Sequence, residues 1–378
     1  MTAVLEGIRV LEIGSSVAAP TAARMLADFG AEVWKLEPPE GDHVRSWGAR
    51  APDGTSWWFK SHNRNKSFIE FDLHEPADAA SVRELALRCD VLIESFRPGK
   101  LSEWGLGYDT LAKVHPRLVY VSVSGFGQDG PYASRPGFGH IAEGMSGMRY
   151  VTGYPDRPPV RVGLSLGDEI AGLHAVIGAL LALRARDRDG VGDHVDVSLV
   201  ESTFALTEGL LPEYVHAGVV TERAGNRYLR AAPSGTYETR DGKYLSIAGN
   251  SEPIFARLCK LMGQEALARD PRFSSNVARV ENVAELDQIL AKWSETVDLD
   301  AAVLALAAAG VPAGPVYSIA DIAVDSHFQA RGTIAEVSGV ATPGIMPRLA
   351  RTPGRLSHAA KAIGADHERV LGAPRKRS

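Results

Sequence analysis

Three stretches of this chain combine residue types and spacings able to do chemistry. Residues 125–130 read GFGQDG, a GxGxxG match behind a branched-aliphatic run, the pattern in which glycines let a backbone approach a dinucleotide pyrophosphate. The next residues are PYASRPG, and a pyrophosphate needs a helix N-terminus directly behind the glycines, so a Gly-rich loop is the plainer reading. The turn at 14–20, GSSVAAP, has a single glycine, yet Glu37 stands where a ribose-binding acid would and keeps a dehydrogenase in view. Residues 163–167, GLSLG, match GxSxG ahead of a helix; Ser165 is then a candidate hydrolase nucleophile, with Asp193 and His194 as acid and base downstream. The strand in front would span only 160–162, right after Pro158 and Pro159, which is short for the strand such an elbow caps.

Asp168 follows immediately, at the start of a long apolar helix. A carboxylate there is stabilised as the anion by the helix dipole and by unpaired N–H groups, and its commonest job is capping. The same geometry can present an ionised carboxylate to an acyl carbon, with N–H donors beside the developing oxyanion. Local sequence leaves both readings open.

The elements that would position these residues are legible from periodicity. A branched-aliphatic run at 8–13, helical spacing at 20–29 bounded by Pro20 and Gly30, and alternation at 31–36 predict a βαβ opening. Strands are expected at 67–71, 91–94 and 118–123, with a helix at 77–88, and strands alternating with helices imply a doubly wound, mostly parallel sheet. A strong helix is expected at 168–186, then a strand-to-helix transition at 195–204. Beyond residue 225 the character changes: GTYETRDGKYLSI is a hairpin around Asp241-Gly242, and 254–262, 283–296 and 299–309 read as helices. A second, smaller α+β domain is expected there.

At 378 residues, with 45% hydrophobic and 23% charged residues, the chain has the composition of a globular protein and the length of more than one folding unit. A net charge of -5 argues against nucleic acid or an anionic membrane as principal partner. Cys89 and Cys259 are far apart and form no metal-ligand spacing, so neither a disulfide framework nor a zinc site is expected. The apolar stretch 171–183, with His174 inside it, is short of the roughly 20 residues that span a bilayer. Glu6, Arg9 and Glu12 interrupt the N-terminal stretch where a signal peptide would be apolar, and a cytoplasmic location is expected.

Over nearly its whole length the chain resembles the class III CoA-transferases, the family that includes formyl-CoA and carnitine CoA-transferases and α-methylacyl-CoA racemases. The resemblance is carried by LEGIRVLEIG, PxxxxxLxDxGAxVxKLE from Pro20, NRNKSFIEFDL, DVLIESFRPG, WGLGYDTL, HPRLVYVSVSGFGQDGP, GDEIAGLHAVIGALLAL and VGDHVDVSLVES. GNSEPIFARLCKLMG, DPRFSSNVARVEN and AAGVPAGPVYSIADI continue it, and the order and spacing of the blocks are specific where each alone is not. It implies an interlaced homodimer, each chain having a Rossmann-like large domain (1–215), a small α+β domain (225–325) and a C-terminal segment (326–378) that returns to the large one. It implies acyl-CoA and a carboxylic acid as substrates, with no metal and no permanently bound cofactor. The family's nucleophile falls on Asp168, and its CoA contacts fall on Val17 and Ala18, on Phe71, Asp72, Leu73 and His74, and on Ser95, Phe96 and Arg97.

The chain departs from the family at several positions. Glu103 replaces a usual basic residue, leaving phosphate binding to Arg97, Lys100 or another cation. Val17, Phe138 and Gly139 replace residues of the formyl-CoA branch, which weighs against oxalate as acceptor, and Phe138-Gly139 also replaces the racemase His-Asp pair. His140 is near enough to keep racemisation as an alternative, beside a serine hydrolase using Ser165 and a noncatalytic CoA-binding dimer. The expected reaction is transfer of CoA from an acyl-CoA to a free carboxylate through an aspartyl anhydride and an aspartyl-CoA thioester.

Overall fold

In a computed structural model the described residues, 2–372, separate into two compact units. One comprises residues 2–149, 161–219 and 327–372; the other comprises Tyr150–Val160 and Val220–Ser326. The first begins with β1 (Arg9–Ile13), α1 (Ala18–Asp28) and β2 (Glu32–Glu37). α1 starts ahead of Pro20, because a proline fits anywhere in a first turn whose N–H groups have no helical partner. Next come α2 (Trp57–His62), β3 (Ser67–Glu70), α3 (Pro76–Ala86), β4 (Val91–Glu94), α4 (Lys100–Glu103), α5 (Tyr108–Val114) and β5 (Val119–Ser124). α6 (Gly139–Met145), α7 (Leu166–Asp189), β6 (His194–Ser198), α8 (Leu199–Phe204) and α9 (Leu210–Ala217) complete that run.

The six strands form one sheet in the order β3-β2-β1-β4-β5-β6, every pair parallel. Their near-continuous apolar runs reflect burial on both faces. On one face α1 and α7 cover Val10, Val33, Ile93 and Val121. On the other α3, α4 and α5 cover Leu11, Trp34, Leu92 and Tyr120. The doubly wound α/β sheet expected from the sequence is therefore present. α7 is long and apolar enough to cross a membrane, but its Ala171, Ala175 and Ala179 are fully buried, as in a core helix.

α7 seats closely on α1 because Gly172 has no side chain: a Cβ there would lie 2.7 Å from the Thr21 Cβ. Thr21 also donates its hydroxyl to Glu169 at 3.1 Å, so the N-terminal ends of α1 and α7 are fastened together beside the sheet.

The second unit has a three-stranded antiparallel sheet of β7 (Ser234–Glu238), β8 (Tyr244–Ala248) and β9 (Ala313–Pro315). The β7–β8 turn uses Gly242 at φ +71°, as the Asp-Gly signal predicts. Helices α10 (Glu252–Leu261), α11 (Asn276–Glu281), α12 (Val283–Ser294) and α13 (Leu299–Ala308) enclose a core that includes Phe255, Phe273 and Leu290. Residues after 327 rejoin the first unit, where the Asp366 carboxylate accepts the Phe68 N–H of β3 at 3.0 Å.

Candidate active site

The strand order reverses between β1 and β4, and the chain leaves these neighbouring strands toward opposite faces of the sheet, which opens a crevice at their C-terminal ends. Ser15 and Ser16 after β1, Ser95 and Arg97 after β4, Arg135 from the loop after β5, and Asp168 on α7 line one cleft there. The two turns are joined, since Ser15 N–H donates to Ser95 Oγ at 3.2 Å. Beneath the first turn lies a buried charge cluster. The Lys35 ammonium donates to Glu12 and to the Gly14 carbonyl, each at 2.9 Å, and Lys66 donates to the Pro20 carbonyl at 2.9 Å. Burial alone would lower the Lys35 pKa, but Glu12, Asp42 and Glu37 outweigh it and hold the ammonium charged. That cluster anchors both ends of the turn, in which Ser16 adopts a left-handed φ of +67°.

Asp168 lies in the first turn of α7, but its carboxylate is not spent on that helix. The Gly167 N–H is taken by Glu143 Oε1 at 3.2 Å, a buried carboxylate from α6 whose other oxygen accepts Arg149 at 3.0 Å. The Asp168 carboxylate instead accepts the Gly139 N–H at the start of α6. Glycine at 139 lets the Asp168 carboxylate keep this position, because a Cβ would sit 2.2 Å from Asp168 Oδ2 and displace it. Burial raises the Asp168 pKa to about 6, with Glu143 and Glu169 pushing the same way while the Gly139 hydrogen bond and Arg161 pull it down. At neutral pH the group is still ionised, poorly solvated and held by one backbone donor, the state a carboxylate nucleophile needs.

The structure brings together Ala18, Ser95, Phe96, Arg97 and Asp168 in this cleft. It does not do so for every residue singled out from the sequence. Val17 is buried at the start of α1, and Phe71 and Leu73 belong to the core under α3, because apolar side chains at strand ends turn inward whenever a helix covers that face. Asp72 accepts the His74 N–H and closes a local turn; His74 is exposed and meets the edge of Trp104, whose ring also meets Phe96. Glu103 pairs with Lys100 at 2.6 Å, and the cleft is lined by the guanidinium groups of Arg97 and Arg135. Sequence reasoning missed Arg135 and Glu143; a basic residue in the RPG that closes the Gly-rich loop was the available signal for the first.

The competing motifs fail on geometry. Behind GFGQDG no helix begins until Gly139; Gly127 and Gly130 have positive φ, and Gly125 packs so closely on Gly137 that a Cβ would lie 2.9 Å from the Gly137 Cα. These glycines close a loop and cradle no pyrophosphate at a helix end. Glu37 is fully buried and accepts Arg45 and the Asp42 N–H, so no ribose can reach it. No strand leads directly into Ser165, the last element before it being α6, and His194 is engaged with Ser122 at 3.0 Å, so no Ser-His-Asp elbow forms. His140 accepts an Arg149 N–H at Nδ1, 2.9 Å; a guanidinium only donates, so the neutral ring carries its proton on Nε2 and offers a donor where racemisation needs a base.

Residues 5–367 match the family described as CoA-transferase family III. The chain belongs to that family. It is an acyl-CoA:carboxylate CoA-transferase. The transferase is 42% identical over 373 residues to a succinyl-CoA–D-citramalate CoA-transferase of Chloroflexus aurantiacus, covering 97% of this chain and 93% of that one. It is 36% identical over 376 residues to the β subunit of a succinyl-CoA–L-malate CoA-transferase from the same organism, covering 97% and 93%. Among solved structures it superposes on a CaiB/BaiF family protein from Brucella suis with a TM-score of 0.89, at 34% identity over 98% of this chain and 99% of that one.

Proposed function

We propose that the transferase exchanges CoA between succinyl-CoA and a small dicarboxylic acid, citramalate or malate being the nearest chemistry, with Asp168 as the covalent nucleophile. The observation that carries this is the Asp168 carboxylate itself, held in the crevice by the Gly139 N–H while Glu143 takes the Gly167 N–H of α7. In the first step an Asp168 oxygen attacks the thioester carbonyl, the C–S bond breaks, and CoA thiolate leaves a mixed anhydride. The thiolate then attacks the aspartyl carbonyl and expels the donor carboxylate, leaving an aspartyl-CoA thioester. The acceptor carboxylate repeats these steps in reverse and regenerates Asp168. No proton is consumed and nothing is oxidised. Arg97 and Arg135 supply the positive charge for the CoA phosphates.

The direct test is a panel of free acids offered with succinyl-CoA. Four- and five-carbon dicarboxylates, with and without a hydroxyl, are expected to yield their CoA thioesters, with acetate and butyrate at least about tenfold slower, a difference of about 1.4 kcal/mol in the barrier. CoA binding without any acyl exchange would leave only a noncatalytic reading. Deuterium exchange at the α-carbon in the absence of an acceptor acid would favour a racemase instead.

The same reading includes a homodimer. α7 presents Leu173, Ile177, Leu180 and Leu181 exposed, opposite its buried alanines, and α9 has no buried residue although it carries Leu211, Tyr214 and Val215. Apolar faces of this extent are usually covered in the working assembly. Light scattering at micromolar concentration is expected to give about 81 kDa, twice the 40.5 kDa of one chain. A folded 40 kDa species under those conditions would remove the dimer from the proposal.

A further inference from the structure

Glu94, the last residue of β4, is buried to 5% exposure directly below the turn that carries Ser95, Phe96 and Arg97 into the cleft. Its Oε2 accepts the Phe96 N–H at 2.7 Å and so closes the turn from below. Ser122, opposite Glu94 on β5, also hydrogen-bonds to this carboxylate, and Ser122 Oγ lies 3.0 Å from His194 Nε2 on β6. A serine hydroxyl has one proton, so when it donates to Glu94 it must accept from His194; the bonds run in one direction, from imidazole to hydroxyl to carboxylate. His194 is held in plane by Tyr108 of α5, stacked at 4.5 Å. A second cavity, sharing Arg97 and Pro98 with the first as its wall, is lined by Glu94, Ser122, Gln128 and His194.

We propose that Glu94, Ser122 and His194 form a positioning relay that holds the Ser95–Arg97 turn in its CoA-binding conformation, and that CoA affinity falls when the Glu94 carboxylate is protonated. The inference rests on the transferase reading of the cleft. The groups around Glu94 are Ser122 and Tyr120 from β5, His194 and Asp196 from β6, Tyr108 and Asp109 from α5, and Arg97 above. Burial raises the Glu94 pKa to about 7, with Ser122 and the Phe96 N–H opposing and Asp196 adding to the rise. The carboxylate is a strong acceptor above that value. Below it the group carries a proton, and its bond to Phe96 N–H drops to the strength of a neutral pair.

The test is CoA binding to the full-length protein between pH 5.5 and 8.5, for the wild type, Glu94→Gln and Ser122→Ala. Glutamine keeps the size and an acceptor oxygen but not the charge. Its dissociation constant is expected to exceed that of the wild type about tenfold at pH 8.5 and to converge on it at pH 5.5, as expected for a charged bond replaced by a neutral one. Ionisation of the CoA phosphates affects both proteins equally and cancels in the ratio. Ser122→Ala removes a bond to the charged form and should move the inflection to higher pH. A Glu94→Gln to wild-type ratio that is constant over the range, or an unmoved inflection in Ser122→Ala, overturns the relay. Those two outcomes leave acyl exchange intact, whereas failure of the transferase reading appears as lost exchange in the wild type itself; a wild type that binds no CoA overturns both.

Discussion

Asp168→Asn is expected to abolish CoA exchange, by at least about a thousandfold in kcat, while leaving the fold intact. Asparagine matches the carboxylate in size and can still accept the Gly139 N–H, but an amide oxygen cannot form the anhydride. A helix-capping role would predict the opposite, because Asn and Asp are interchangeable as caps. The contrast is sharpened by Glu143, which already satisfies the Gly167 N–H. In the wild type the exchange rate should also fall as pH drops through about 6, since attack requires the ionised carboxylate and burial holds its pKa there. Hydroxylamine added with acyl-CoA should convert Asp168 to a hydroxamate, read by peptide mass, and leave Ser165 unmodified. Full exchange by Asp168→Asn together with an unmodified Asp168 peptide would falsify the covalent mechanism.

Gly139→Ala is expected to lose about a hundredfold in kcat with nearly unchanged CoA binding. The added methyl would overlap Asp168 Oδ2 at 2.2 Å and Cγ at 2.6 Å. A carboxylate at the end of a side chain can rotate away, so the protein folds, but the nucleophile is then off its line of attack and separated from its N–H donor. Displacement of about 1 Å at a reacting atom is enough for a loss of that size. Near-normal kcat in Gly139→Ala, with unchanged melting, would mean that the approach of α6 to α7 has no part in catalysis. The comparison with Asp168→Asn separates the two effects: one removes the chemistry in place, the other removes the place.

Much of the sheet is legible in the residues alone. Short runs rich in branched aliphatics and bounded by turn residues locate β1, β2, β3, β4 and β5 to within two residues, because strands buried on both faces are mostly apolar even where they carry a buried Glu12, Lys35 or Ser122. The hairpin at Asp241-Gly242 follows from the one dipeptide whose φ demands are specific. The motif matches are less informative: GFGQDG and GLSLG satisfy their patterns letter by letter, yet the helix or strand that gives each its chemistry is missing. At the cleft the outcome is mixed. Ser95, Phe96 and Arg97 face it because the turn after β4 lies at the switch point, whereas Phe71 and Leu73, in the turn after the edge strand β3, are covered by a helix.

What the sequence by itself determined is therefore the strands of the large sheet, its longer helices, the family, and a short list of candidate site residues that includes Asp168. Those properties depend on spacing within windows of ten to twenty residues or on the order of blocks along the chain. The tertiary structure decided which carboxylate faces the cleft. Asp168 at the start of an apolar helix reads as a cap from local sequence, but the helix begins at Leu166, Glu143 from another helix accepts the Gly167 N–H, and Gly139 and Gly167 let the two helix ends close to contact. It also decided that Glu94 and Ser122, unremarkable in their strands, meet under the Arg97 turn. Such contacts join residues distant in the chain through the absence of a side chain or the burial of a charge, and neither leaves a periodic trace in the residues nearby.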